Sequence, residues 1–420
     1  MSDSQNRFGI LLLLQSLYLR CYPFRYKPPI ELKPHPKDFT VTVIHVKRPI
    51  QTFLPIVTLG ISAITSSLGL LCITRGKTFA EIAMDMKIWT WGAMTTMGVF
   101  GSISYTLWFV IRDEDTVRFG NEIILLEGQL EKFLPRKPLD KKSTRSNRLK
   151  ERLDLTVLTF EFFIWSCFLF TPMAAMTSSL IGLDVVQVIL EFLQTNGYLP
   201  TYKGFLPFMA TYFVRILILC LTMYEAERIF FFSIVIFITW GKLIMSIITQ
   251  LDKFFGENLS EINGGMRDHF QFYNRLVILL DLIEMQWKTT VTMSIVGGGV
   301  AVVSTTFVAV KFHEIYPWFL TAFYACGAAF LFWLGLICLG LIGMCDESCG
   351  GLLERFKMEG LLLRMKGRGM KLYLAEVKSL RRIRFLVGLG HLQFGVFSKS
   401  SKSDVMGYIV DETINILMTF

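Results

Sequence analysis

Four polar residues near the end of the chain, Asp404, Asp411, Asn415 and Thr419, recur at spacings of seven, four and four. On an α-helix those spacings lay them along one stripe. They sit in a largely apolar run, "YIVDETINILMTF", where carboxylates facing hydrocarbon would be costly. Several copies of such a helix around an axis, each turning its stripe inward, would line a water-filled pore. The competing reading is a helix buried in one subunit with its carboxylates paired internally. The chemistry indicated is the passage of ions rather than the making of bonds.

A second group lies in the outer halves of the other apolar runs: Trp89, Trp91 and Met94, then Met173 and Met176, then Tyr212 and Arg215, then Trp318 and Tyr324. Apolar walls with a few polar groups describe a small-molecule pocket. An interfacial aromatic belt accounts for Trp89, Trp318 and Tyr212 without a ligand. Arg215 is the most informative, because a cation inside a span needs a partner, a water-filled cavity or an anionic ligand.

Other residue types carry less. The five His are scattered, and no metal-binding His pair, phosphate-binding Gly loop or nucleophile elbow is present. The reading is therefore not an enzyme, with no cofactor and no metal. "VGGGVAVVS" from Val296 sits within an apolar run and reads as close helix packing. Cys345 and Cys349 are one turn apart, with no second ligand pair nearby in sequence. Asp346 and Glu347 read as interfacial salt-bridge partners.

The elements that must hold these residues follow from charge spacing. Hydrophobic residues make up 52% of the 420 and charged residues only 18%, below the quarter usual in soluble domains. Several uncharged runs exceed the roughly 20 residues that cross a bilayer as a helix. Spans are predicted at 49–74, 88–111, 155–183, 205–251, 289–310, 315–345 and 402–420, with 1–48 as an N-terminal segment carrying a short helix. "FGILLLLQSLYLRCYPF" lacks the basic leader and small-residue cleavage site of a signal peptide.

The net charge of +9 is concentrated between the apolar runs, which indicates a membrane surface and no nucleic acid. The N-terminal tail, "PRKPLDKKSTRSNRLKER" and the stretch 344–384 are basic and should be cytoplasmic. The region 204–251 carries Arg215, Glu225, Glu227, Arg228 and Lys242, and reads as one long helix or two short spans. One long helix keeps every basic loop on the same side. Seven spans with a cytoplasmic N-terminus then put the C-terminus outside. The 229–255, 266–288 and 352–389 stretches read as helices bundled below the membrane. "FTVTVIHV" is the one strand-like pattern.

At this point the chain resembles the insect chemoreceptor superfamily, specifically its gustatory receptors. "LLLLQSLYLRCYPFRY" is similar to the short helix and Pro-Phe turn before the family's first span. "ITQLDKFFGENL" resembles the end of its extended fourth helix, and "YNRLVILLDLIEMQWKTTVTMSIV" the helix feeding its fifth span. The family closes on Thr-Tyr, five hydrophobic residues and Gln-Phe. Here that window reads Glu412, Thr413, Ile414 to Met418, Thr419 and Phe420, so only Phe420 and most of the hydrophobic block match, the Thr, Tyr and Gln are replaced, and the chain is a divergent member.

The resemblance implies a multi-pass plasma-membrane receptor that works as a ligand-gated, non-selective cation channel. It implies a homotetramer, or a heterotetramer with related receptors, anchored by cytoplasmic extensions of helices four to seven. A small-molecule tastant would bind in the outer half of each subunit, among Trp91, Met94, Met176, Tyr212, Arg215 and Tyr324. Asp411, Glu412, Asn415, Ile416, Thr419 and Phe420 would line the pore, with Ile416, Thr419 and Phe420 at or near the gate. An odorant receptor of the same superfamily is the main alternative. A G-protein-coupled receptor would need the basic N-tail outside. A secondary transporter would favour inverted repeats.

Overall fold

The computed structural model describes residues 9–21, 30–35, 40–46, 49–133, 155–199, 204–257, 266–315, 317–362 and 368–420. The loop "PRKPLDKKSTRSNRLKER", the turn at Pro23 and Phe24 and the glycine at 367 lie outside the described residues.

The apolar helix α1 (Gly9–Gln15), continued by a π-helical turn to Arg20, precedes a hairpin of β1 (Ile30–His35) and β2 (Thr40–His45). Helices α2 (Pro49–Thr74), α3 (Phe79–Ala83), α4 (Met86–Thr106), α5 (Asp113–Phe133), α6 (Leu155–Leu180) and α7 (Val185–Thr195) follow. Next come α8 (Phe205–Glu257), α9 (Met266–Leu282), α10 (Glu284–Lys311), α11 (Trp318–Leu362) and α12 (Arg368–Ser379). A second hairpin, β3 (Phe385–Leu389) and β4 (Leu392–Phe397), leads into the final helix α13 (Lys399–Thr419). Among the described residues six helices are long and apolar enough to cross a membrane: α2, α4, α6, α8, α10 and α11. The chain is an all-α polytopic membrane protein with two small hairpins.

The region 204–251 is one continuous helix. At 53 residues, α8 runs about 80 Å, more than twice the hydrocarbon thickness, so a large part of it must leave the bilayer. Its interior charges are satisfied within the chain. Arg228 pairs with Glu225 at 2.8 Å in full burial. Glu227 accepts from the Thr171 hydroxyl at 2.7 Å and from the Tyr18 hydroxyl at 3.3 Å. Lower down, α8 buries Ile244, Ile247, Ile248 and Leu251 in the main core. There α9, the lower half of α11 and α12 meet through Phe270, Tyr273, Phe356 and Tyr373. Arg355 of α11 pairs with Asp252 of α8 at 2.8 Å. The pattern of α9 does run on into α10, broken only at Ile283.

The strand-like "FTVTVIHV" does form a strand, β2 of the first hairpin, whereas the second hairpin is where the structure departs from the sequence reading. In the first, Leu32 and Val43 are register partners. The Gln15 side-chain amide bonds Leu32 through both N–H (2.8 Å) and C=O (3.0 Å). Asn121 of α5 does the same to Val43, at 2.8 and 3.0 Å. Each amide supplies the missing neighbour on one edge of a two-stranded sheet.

The stretch 385–389, read above as the end of an amphipathic helix, is strand β3. Phe385 and Phe397 face each other across the ladder and are buried, while Gly390 turns the chain at φ 54°. A bulge falls between Val387 and Gly388. A Cβ at Gly388 would drive into the Leu392 carbonyl oxygen, so a side chain is excluded there. The Thr292 hydroxyl accepts the Gly388 N–H at 2.8 Å and lies 2.9 Å from its carbonyl oxygen. Thr289 accepts the Gly390 N–H at 3.3 Å. The hairpin is thus latched to the base of α10.

Candidate ligand site and terminal helix

Arg215 lies on α8 and is 8% exposed. Its Nε donates to the Asp184 carboxylate at 2.6 Å, and its guanidinium also reaches Gln187 Oε1 at 2.6 Å and Ser179 Oγ at 3.2 Å. Of the three ways to keep a cation inside a span, the chain uses a protein partner. Asp184 is 1% exposed and also caps α7, accepting the Val186 N–H at 2.9 Å. Tyr212, one turn before Arg215, has its ring centre 5.9 Å from the guanidinium carbon.

The network continues across the bundle. Leu183, next to Asp184, accepts the Trp91 indole N–H at 2.9 Å. Trp91 is fully buried against α2, where a Cβ at Gly69 would lie 3.1 Å from its ring. Its neighbour Thr90 meets the Tyr324 hydroxyl of α11 at 3.0 Å. Tyr324 and Leu183 belong to one apolar cluster with Met86, Phe307, Val308, Phe312 and Leu320, flanked by Trp89. Arg215 and Trp91 are therefore tied by hydrogen bonds to two adjacent loop residues, Asp184 and Leu183, and Tyr324 is tied to Thr90, the neighbour of Trp91. Met94 lies one turn beyond Thr90 on the same side of α4 and is 38% exposed. Met176 stands apart. It is 49% exposed, whereas the inward face of α6 is the column Thr171, Ala175 and Ser179.

Asp184, Gln187, Ser179 and Thr90 were not singled out from sequence. Asp184 had a signal: an Asp directly before the apolar run "VVQVILEFL" is an N-cap pattern.

The terminal helix α13 has two faces. Asp404, Asp411, Asn415 and Thr419 all lie on its exposed side, together with Tyr408, Ile414 and Met418. The other side packs on α10 and α11. Met406 is buried, Ile409 would sit 3.5 Å from a Cβ at Gly299, and a Cβ at Gly343 would lie 3.2 Å from Lys399 Cα. The glycines of "VGGGVAVVS" do allow close packing: Gly297 faces the Phe100 ring, with only 2.6 Å left for a Cβ. The six residues carried over as pore-lining divide between the faces. Asp411, Asn415 and Thr419 are exposed, and Glu412 is half-buried on the flank. Ile416 and Phe420 pack into the cluster around Phe307, Phe420 with its ring 6.5 Å from Phe307 and 5.5 Å from Phe79. At the other end of α13, Lys399 pairs with Glu347 of α11 at 2.8 Å, and Arg382 with Asp346 at 2.9 Å.

No family model matches the sequence, and no curated protein does. Among solved structures the chain matches an insect olfactory receptor, OR5 from Machilis hrabei, at 12% identity and a TM-score of 0.63. The match covers 100% of both chains. The two proteins share a fold from end to end.

Proposed function

We propose that a chain with this receptor fold is a chemoreceptor of the insect superfamily that opens a cation channel on binding a small molecule, and that it serves taste. The observation that carries the proposal is the terminal helix. Its exposed face holds a carboxylate, an amide and a hydroxyl in register, Asp411, Asn415 and Thr419, while its other face is packed within the subunit. A polar stripe turned out of a membrane subunit needs water, and a ring of copies around an axis supplies it. The full-length likeness to an olfactory receptor supports the same reading. We take α13 as the seventh span, the assembly as four copies of this chain or of it and related chains, and the plasma membrane as its site.

The ligand would lie in the outer half of the subunit, bordered by Trp91, Tyr324 and Met94, with Tyr212 and Arg215 as its far wall. It would favour the open state by binding that state more tightly than the closed one. An odorant in place of a tastant is the second reading, favoured by the olfactory receptor that the fold matches.

The test is electrical. The chain is expressed in a heterologous cell with G-protein signalling blocked, and panels of tastants and volatile odorants are applied. Ligand-evoked, non-selective cation current is expected. Ligand-driven uptake without current would overturn the channel reading in favour of a transporter.

A further inference from the structure

A cavity opens at the junction of α9 and α10, far along the chain from the network around Arg215. It is a half-open cleft whose interior is only about 40 Å³, so an occupant would lie largely at its mouth. Its charged lining is Asp281, Glu284, Lys288, Arg381, Arg382 and Arg384, four cations against two carboxylates, with Trp287 as an apolar wall. The cations are unequally neutralised. Arg381 reaches Asp281 at 3.2 Å, and Arg382 is held by Asp346 at 2.9 Å. Lys288 has a side chain only 7% exposed, yet its nearest carboxylate, Glu284, is 4.0 Å away, beyond hydrogen-bond reach. Arg384 is exposed and makes no ion pair among the described residues. The Trp287 indole N–H has no hydrogen-bond partner. A buried ammonium without a close counter-ion, beside a free guanidinium and an unpaired donor, is an unusual concentration of unmet positive potential.

We propose that this cavity binds a polyanionic phosphate group, and that its source is the headgroup of a phosphoinositide in the cytoplasmic leaflet. Three observations converge. The charge is right, because Lys288 and Arg384 can each meet a phosphate that the protein does not supply. The position is right, because Lys288 lies at the start of α10, a helix apolar enough to span, on the basic side of the molecule. The lining is also contiguous in sequence with the second hairpin and the terminal helix. The segment Arg381–Arg384 runs directly into β3, whose hairpin is latched to α10 by Thr289 and Thr292 and continues through β4 into α13. A headgroup clasped there would hold the start of the terminal helix against α10. The inference does not rest on the channel reading, since binding is measured without current.

The test uses the full-length protein, purified in detergent, and a fluorescent, water-soluble short-chain phosphatidylinositol bisphosphate. Wild type should bind it, and phosphatidylcholine of the same chain length should not compete. Arg384→Gln and Lys288→Gln should each weaken binding about fivefold, the worth of one cation near an anionic surface, and together more. Arg384→Lys should keep most of it. Arg384 is exposed, so its variants retain the fold, and size-exclusion profiles check Lys288→Gln. Inositol hexakisphosphate is the competing probe. Competition that each Gln variant weakens by a similar factor supports the phosphate site. If inositol hexakisphosphate binds with the same dependence on both cations while the lipid probe does not bind, a soluble phosphate replaces the lipid and the membrane source is overturned. If affinity for the lipid probe stays within twofold in the double variant, the site itself is overturned.

Discussion

Replacing Arg215 separates a structural cation from one that awaits a ligand. Arg215→Met keeps the length and apolar stem but removes donors to Asp184, Gln187 and Ser179. Asp184 is then a carboxylate at 1% exposure with no cation beside it. Removing one partner of a buried pair costs about 3–5 kcal/mol, because the remaining charge is stranded. Adding Asp184→Asn should recover much of that loss. Asn still caps α7 through the Val186 N–H, as Asn and Asp do equally well, and it carries no charge. The assay is thermal unfolding of the detergent-solubilised protein followed by size-exclusion fluorescence, together with surface expression. The single variant should lose stability and reach the surface poorly, and the double variant should regain most of both. If Arg215→Met is as stable as wild type, or the second substitution brings no recovery, the reasoning fails. A stable Arg215→Met protein that no longer gives the proposed ligand response would instead make the guanidinium a ligand contact.

Other outcomes follow from the same geometry. Cysteines at Asp411, Asn415 and Thr419 should be modified by a water-soluble thiol reagent and alter current, whereas a cysteine at Met406 should not react. Tyr324→Phe removes one hydrogen bond to Thr90, worth about 1 kcal/mol. It should shift ligand potency without loss of surface expression, and a dose–response curve checks it. Asn121→Leu leaves the Val43 N–H and C=O unmet at the hairpin edge and should cost about 1–3 kcal/mol in thermal unfolding. Gly388→Ala should disrupt the second hairpin, because its Cβ has no room against the Leu392 carbonyl. Limited proteolysis after Arg384 should then accelerate.

What could be read in advance depended on the range of the interaction. The spans were legible because hydrocarbon excludes charge over some 20 residues at a time, a demand written in contiguous sequence. The long α8 was resolved by the same logic, since splitting it would have moved basic loops across the membrane. The polar stripe of α13 was legible from spacing alone. The partner of Arg215 was not. Asp184 lies thirty-one residues away on another element, and nothing in periodicity says that two such elements meet. The strands of the second hairpin were missed for a related reason, although "FTVTVIHV" in the first was legible from its alternation. "FLVGLGHLQFGVF" is as apolar as a helix of the same length, and its pairing is fixed by Gly388, Gly390 and two threonines on α10.

The division of α13 into two faces also corrects how its residues work together. A family signature treats Ile416, Thr419 and Phe420 as one gate. Here Thr419 faces outward, while Ile416 and Phe420 sit in the apolar cluster with Phe307 and Tyr324, and Tyr324 is bonded to Thr90 beside Trp91. The proposed ligand walls and the proposed pore helix therefore share a single packed cluster. Packed interiors do not deform continuously but switch between discrete arrangements. A ligand that repositions Tyr324 must repack Phe307, and with it Phe420 and Ile416. Because α13 is one rigid helix, that repacking rotates Asp411, Asn415 and Thr419 as a unit. Coupling then needs no long pathway, because the proposed ligand wall, through Tyr324, and the back of the proposed pore helix meet in one packed cluster.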